Sequence, residues 1–255
     1  MSITEHQIYL FFLILVRMSS MMVSAPIFSD RGIPVRVKIG LAGIISILLF
    51  PLVDQQHPQI GFNHLTALGL IMGEMFTGIL IGFGMGLLFA GIRLAGEYVG
   101  VDMGFSMAQV FDPTYSQNLS VITSFKGILA MLLFLILNGH HFLIEAVVYS
   151  YRFVPIGGWS LSNLAIEKLI LMSTKMFLLG IKIAAPALVA LFLTSVAMGV
   201  IARTVPQMNI FFVGFPLRIF VGLTFIALGL PLFVYVFRNV LMEFQKDILH
   251  LLKVL

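Results

Sequence analysis

The chain has no cysteine. Disulfides, thiolate metal sites and cysteine nucleophiles are thereby excluded. Charge is scarce as well. Only 10% of the 255 residues are Asp, Glu, Lys or Arg, against roughly 25% in soluble domains. Enzyme signatures are missing in turn. There is no His-Glu-x-x-His run, no P-loop and no Gly-x-Ser-x-Gly elbow. Asp102 and Asp112 lie in no motif resembling an intramembrane aspartyl protease. The adjacent pair His140-His141 cannot turn both rings to one ion on a helix, and no acidic ligand stands at a suitable spacing. Neither catalysis, a metal nor a cofactor is expected. Clustered Lys and Arg interleaved with aromatics are also lacking, so nucleic acid is not an expected partner.

What remains is apolar: 60% of the chain is hydrophobic. The expected fold class is an all-α, polytopic integral membrane protein, at about 20 residues per span. A membrane β-barrel would need short segments of alternating polarity, which the sequence does not offer. Apolar runs fall at about 8–25, 39–53, 67–92, 119–137, 140–154, 166–201 and 210–237. They predict six or seven hydrophobic helices, with helical hairpins and broken helices, in one membrane domain over 1–255. The run 39–53 is short for a span. The stretch 119–154 reads as a hairpin turning at Asn138-Gly139, and Pro186 predicts a kink or break in 166–201. Leu241 to Leu255 is amphipathic and predicts an interfacial or packing helix.

No Lys or Arg precedes Arg17, and Glu5 stands where a signal peptide would be basic. Residues 8–25 are therefore read as a retained first helix. Loop 26–38, with Arg31, Arg36 and Lys38, and the tail, with Arg238, Lys246 and Lys253, are expected on the cytoplasmic side. Loop 54–65 has no Lys or Arg and is expected outside.

Several charges sit where they are costly. Arg17, Glu74, Lys126, Lys175 with Lys182, and Arg218 lie inside apolar runs. A charge at a bilayer centre costs about 2.5–3.5 kcal/mol even on lenient insertion scales. Such helices are expected to face partner subunits or a watery conduit. Lys168, Lys175 and Lys182 are seven apart, so they drift only about 20° per step and form one stripe about 21 Å long. The stripe reads either as an interface to acidic groups on a partner or a wet channel wall, or as snorkelling with an intrachain pair to Glu74 or Glu97.

Small residues are placed with a period. Gly78, Gly82 and Gly86 are four apart, and Gly96, Gly100 and Gly104 follow. Residues four apart share a helix face, and glycines there let backbones approach closely, within the chain or between subunits. Gly32-Ile-Pro-Val-Arg36 also parallels Gly214-Phe-Pro-Leu-Arg218, which suggests two helices that start alike on their prolines in a duplicated hairpin.

The segment from about 104 to 118 is an apolar loop. Gly104, Phe105, Met107, Val110 and Phe111 lead into Asp112-Pro113. Irregular backbone at membrane depth is tolerated only inside protein or along a cavity, and apolar constrictions shut pores by dewetting. A pore plug and a buried re-entrant loop both fit these residues.

Taken in order, a set of short motifs resembles the R-subunit family of the flagellar type III export gate and its injectisome counterpart. They are Ala25-Pro-Ile-Phe28 with Gly32 to Arg36, Arg93-Leu-Ala-Gly-Glu-Tyr-Val-Gly100, and Met103-Gly-Phe105 through Asp112-Pro113. Asn138-Gly-His140, Pro206-Gln207 and Gly214-Phe-Pro-Leu217 complete the set. The resemblance implies assembly with P- and Q-type membrane subunits into a spiral export channel, and contact with the B and A components. It implies passage of unfolded flagellar proteins, and a place in the bacterial inner membrane at the flagellar basal body. It also implies that the segment matching Gly104 to Asn118 is a plug. From the residues alone, a stand-alone secondary transporter and a purely structural scaffold stay open.

Overall fold

A backbone held away from water must satisfy its own N–H and C=O groups, and a helix does so within one segment. The computed structural model describes residues 5–30, 32–54, 64–105, 120–207 and 209–255. Among these residues there are eight helices and no strand: α1 (Glu5–Ser24), α2 (Val35–Asp54), α3 (His64–Asp102), α4 (Val121–Ile136), α5 (Gly139–Phe153), α6 (Asn163–Thr204), α7 (Ile210–Leu228) and α8 (Leu230–Val254). Helices α1, α2, α3 and α6 are each long and apolar enough to cross a membrane; the number rises to six if each bent pair, α4–α5 and α7–α8, is one span. The fold is that of a polytopic all-α membrane protein.

Counted that way, the Asn138-Gly139 corner is a bend within one span, where the sequence suggests a hairpin. Asn138 takes a left-handed conformation there, at φ 56°. The break expected at Pro186 is absent: helix α6 runs continuously through it, beside Ala184, Ala187 and Leu191 of a buried core. Pro216 does not start a helix, for α7 begins at Ile210 and contains it. Pro34, by contrast, directly precedes α2, and its carbonyl accepts from Val37 N–H at 2.9 Å. The two Gly-x-Pro-x-Arg segments are therefore not equivalent. The amphipathic stretch from Leu241 is the end of α8, which is continuous from Leu230. Leu241, Phe244, Ile248, Leu251 and Leu252 are all buried.

The helices fall into two compact units. The first holds Met1–Leu87, Asn138–Ser173 and Leu241–Leu255, and the second Leu88–Leu137 and Thr174–Val240.

In the first unit α1 packs on α2 and on α3. A Cβ added at Gly78 would collide with Ser20 Oγ and the Arg17 carbonyl, and one at Gly82 with Ser24 Oγ and Ala25 N. Both partner numbers rise together, so α1 and α3 run in the same direction. Gly86 departs from the expected packing face, since nothing lies within 4 Å of a Cβ there. The cause is that α1 has ended at Ser24.

In the second unit Gly96 and Gly100 face α4. A Cβ on Gly96 would lie 2.6 Å from Thr123 Cα, and one on Gly100 2.9 Å from Ser120 Cβ. Here one number rises as the other falls, so α3 and α4 are antiparallel. Ala95, Val99 and Met103 of α3 and the turn after it join Ile122, Ala184, Ala187 and Leu191 in a buried core. Helix α3 then stops by a Schellman motif. Gly104 has φ 90°. Its N–H donates to Val101 O at 2.9 Å, and Phe105 N–H donates to Gly100 O at 3.1 Å. Phe105 packs against the same core.

Gly78→Ala and Gly82→Ala are expected to lower the unfolding midpoint in detergent, since overpacking costs about 1–3 kcal/mol. Gly86→Ala should hold or raise it, through the better helix propensity of alanine. An equal loss at all three would refute the packing assigned to α1. Gly104→Ala should cost about 1–2 kcal/mol for the left-handed backbone alone. The Phe215 ring, 2.8 Å from a Cβ at that position, adds to this, and the same thermal measurement reads it.

Candidate functional site

The embedded charges meet three different fates, set by which helices adjoin them. Arg17 is wholly buried. Its Nε donates to Glu74 Oε2 at 2.5 Å and its Nη2 to Oε1 at 2.8 Å. Nη1 donates to Ser150 Oγ at 2.8 Å and Nη2 to Val154 O at 3.1 Å. The guanidinium also lies 4.0 Å from the centre of the Tyr151 ring. Four of its five N–H donors are thus used, in the two-pronged geometry that arginine makes with carboxylates. The position follows from the helix faces already described. Glu74, Gly78 and Gly82 are four apart on α3, so the glycines that admit α1 also bring Glu74 to Arg17. Ser150 and Tyr151 complete the shell from α5.

The lysine stripe is divided. Lys168 donates to Asp247 Oδ1 at 2.7 Å, because the start of α6 lies beside the end of α8 in the first unit. It is therefore an internal pair, not part of one continuous interface stripe. Of the two acids that the sequence offers the lysines, Glu74 is taken by Arg17, and Glu97 accepts from Thr123 Oγ1 at 2.9 Å. Lys175 is half-buried and engaged elsewhere in the fold. Arg218 is half-buried on α7 and forms no ion pair among the described residues.

Lys126 and Lys182 come together in the second unit. They line one cavity with Phe125, Pro186, Ile226 and Phe233 among its apolar walls. Lys126 is only 7% exposed.

Of the expected plug residues, Gly104 and Phe105 are described, and both belong to the end of α3. Met107, Val110, Phe111, Asp112 and Pro113 lie outside the described residues. Among the described residues no group of three or more His, Asp or Glu is placed to hold a metal ion.

Sequence reasoning missed the pairing of Arg17 with Glu74 and the role of Tyr151. The first was within reach, since two opposite charges stand in neighbouring apolar runs, one of them sharing the glycine face. It also missed the break at Gly229, where α7 and α8 meet at a bend of 55°. Pro231, in the first turn of α8, was the available signal.

Removing one partner of a buried pair costs about 3–5 kcal/mol. Arg17→Met and Glu74→Met are each expected to destabilise the purified chain by that order. The double variant should be less destabilised than the sum of the two. Additive losses in a double-mutant cycle of detergent unfolding would show that the pair is not coupled.

Residues 8–244 match the family described as bacterial export proteins, family 1. The flagellar biosynthetic protein FliR of Escherichia coli (strain K12) is 38% identical over 224 residues, covering 88% of this chain and 85% of that protein. FliR of Bacillus subtilis (strain 168) is 31% identical over 234 residues, covering 90% and 89%. FliR of Aquifex aeolicus (strain VF5) is 28% identical over 230 residues, covering 90% and 88%. The match reaches into every helix described above and both compact units, so the chain belongs to the bacterial export proteins of family 1, and within them to the FliR family of flagellar export-gate subunits.

Proposed function

We propose that the chain helps to form the channel through which unfolded flagellar proteins cross the bacterial inner membrane at the flagellar basal body. In this reading it assembles with P- and Q-type membrane subunits and meets the B and A components of the export apparatus. The observation that carries it is family membership over nearly the whole chain. The surface gives support. Apolar residues such as Phe212, Phe220, Leu228 and Ile136 are among the most exposed of the chain, and the cavity of the second unit holds two lysines. Lipid suits the first feature but not the second, whereas neighbouring subunits suit both.

The segment 104–118 serves as the plug. The Schellman stop ends α3 where this apolar stretch begins, and the Phe105 ring is anchored on the core of the second unit. In the resting gate Phe105, Met107, Val110 and Phe111 close the pore, with Asp112-Pro113 ending the closing segment. Lys182 and Arg218 face subunits or the conduit. The end of α8, from Leu241, acts as a packing helix.

Co-expression with P- and Q-type subunits, followed by native mass spectrometry, is expected to give one defined hetero-oligomer containing this chain. A monodisperse particle of this chain alone would overturn the assembly and favour a stand-alone transporter. Deleting residues 105–111 should leave the assembled gate leaky to small ions in liposomes. An intact assembly whose ion barrier is unchanged would remove the plug role and leave a scaffold.

A further inference from the structure

The cavity shared by Lys126 and Lys182 holds two positive charges and no negative one. Its other lining side chains are apolar or glycine, from Phe125 and Leu129 on α4 to Leu232 and Phe233 on α8. Lys126 is more than nine-tenths buried and lines this space. It has no hydrogen-bond or ion-pair partner among the described residues. Lys182 enters from α6.

A third source of positive potential adjoins them. Helix α8 is 25 residues long and begins at the break after Gly229. Gly229, Leu230 and Leu232 line the cavity. The first N–H groups of a helix have no acceptor within it and carry the positive end of its dipole. Lys126 is a buried cation and Lys182 an exposed one; with a helix start beside the same apolar space they suit an anion, because a buried charge is stable only when paired.

The space suits a small anionic group. The cavity is about 50 Å³, which is roughly three to five water positions, and the two oxygens of a carboxylate fit there. The rim selects the carrier. Phe125, Ile128 and Leu132 are exposed along one face of α4, and Leu232 is exposed beside them on α8. Such a rim suits the apolar side of a helix.

We propose that this cavity is the socket for an Asp or Glu side chain carried at membrane depth by a helix of a different chain in the assembly. The carboxylate sits between Lys126 and Lys182 at the start of α8, and the helix that bears it lies along the exposed face of α4. The proposal rests on the gate-subunit reading, and it names the chemistry of one contact.

A membrane-permeant carbodiimide tests it on the intact complex purified from membranes. The reagent activates a carboxylate, and only an amine in contact closes the amide. The Lys168–Asp247 pair, at 2.7 Å, is the internal control. Expected is an amide from Lys126 or Lys182 to an Asp or Glu of another chain, mapped by peptide mass spectrometry. That amide should fall at least tenfold when the mapped Asp or Glu is changed to Asn or Gln, with the Lys168–Asp247 amide unchanged; the Lys126→Gln, Lys182→Gln double variant, which cannot form it, is the blank.

Three results overturn the socket. One is a hetero-oligomer that forms the control amide but none from Lys126 or Lys182. Another is an amide from either lysine to an acid of its own chain, such as Glu97 or Asp112. The third is an anionic phospholipid that is retained in native mass spectra of the complex and lost in the double variant. A particle containing this chain alone would instead overturn the assembly reading, and the socket with it.

Discussion

The first unit is organised by one requirement: a guanidinium inside apolar sequence must have nearly every N–H matched. Arg17 meets it with Glu74, Ser150, the Val154 carbonyl and the Tyr151 ring. Three helices supply those groups, and none of them could shift by a turn without orphaning a charge. The glycine contacts at Gly78 and Gly82 are the steric counterpart of this requirement. Without them α1 and α3 could not come close enough for Arg17 to reach Glu74. The pair brings little net stability over an apolar replacement of equal volume. Its contribution is to register, since only one alignment of α1, α3 and α5 satisfies it.

The second unit follows a different logic. Its α3–α4 contact is antiparallel and built on Gly96 and Gly100 against Thr123 and Ser120, with the Thr123–Glu97 hydrogen bond as a polar complement. Lys126, in this unit, has no ion pair among the described residues, whereas Arg17 of the first unit is matched by its neighbours. The same chain thus contains one embedded cation closed upon its own helices and one that is not.

Much of this was legible in the sequence, for reasons that differ by level. Helix positions followed from apolar runs, because length and hydropathy are local properties. The tight contacts at Gly78, Gly82, Gly96 and Gly100 followed from period. Partner choice did not, since it depends on which helices are neighbours. Arg17 finds Glu74 at a separation of 57 residues, and Lys168 finds Asp247 rather than either glutamate that sequence spacing suggested. The prolines failed for a related reason. A missing N–H is a local cost, and α6 continues through Pro186 with Ala184, Ala187 and Leu191 packed around it. Glycine marked the end of α3 more reliably than proline marked any break, because Gly104 adopts a backbone conformation that other residues resist.

The Arg17 cluster also carries a timetable. The chain leaves the ribosome from its N-terminus at about 5–20 residues per second. Glu74 therefore follows Arg17 by roughly 3–11 s, and Ser150, 133 residues later, by roughly 7–27 s. Through that interval α1 has an arginine and no partner for it. Resting in lipid as a finished span would cost such a helix about 2.5–3.5 kcal/mol, a cost avoided at the interface, in water within the insertion machinery, or beside another protein. The order of synthesis thus makes the first helix among the last to settle, and whatever shelters it meanwhile acts as a chaperone for a single side chain.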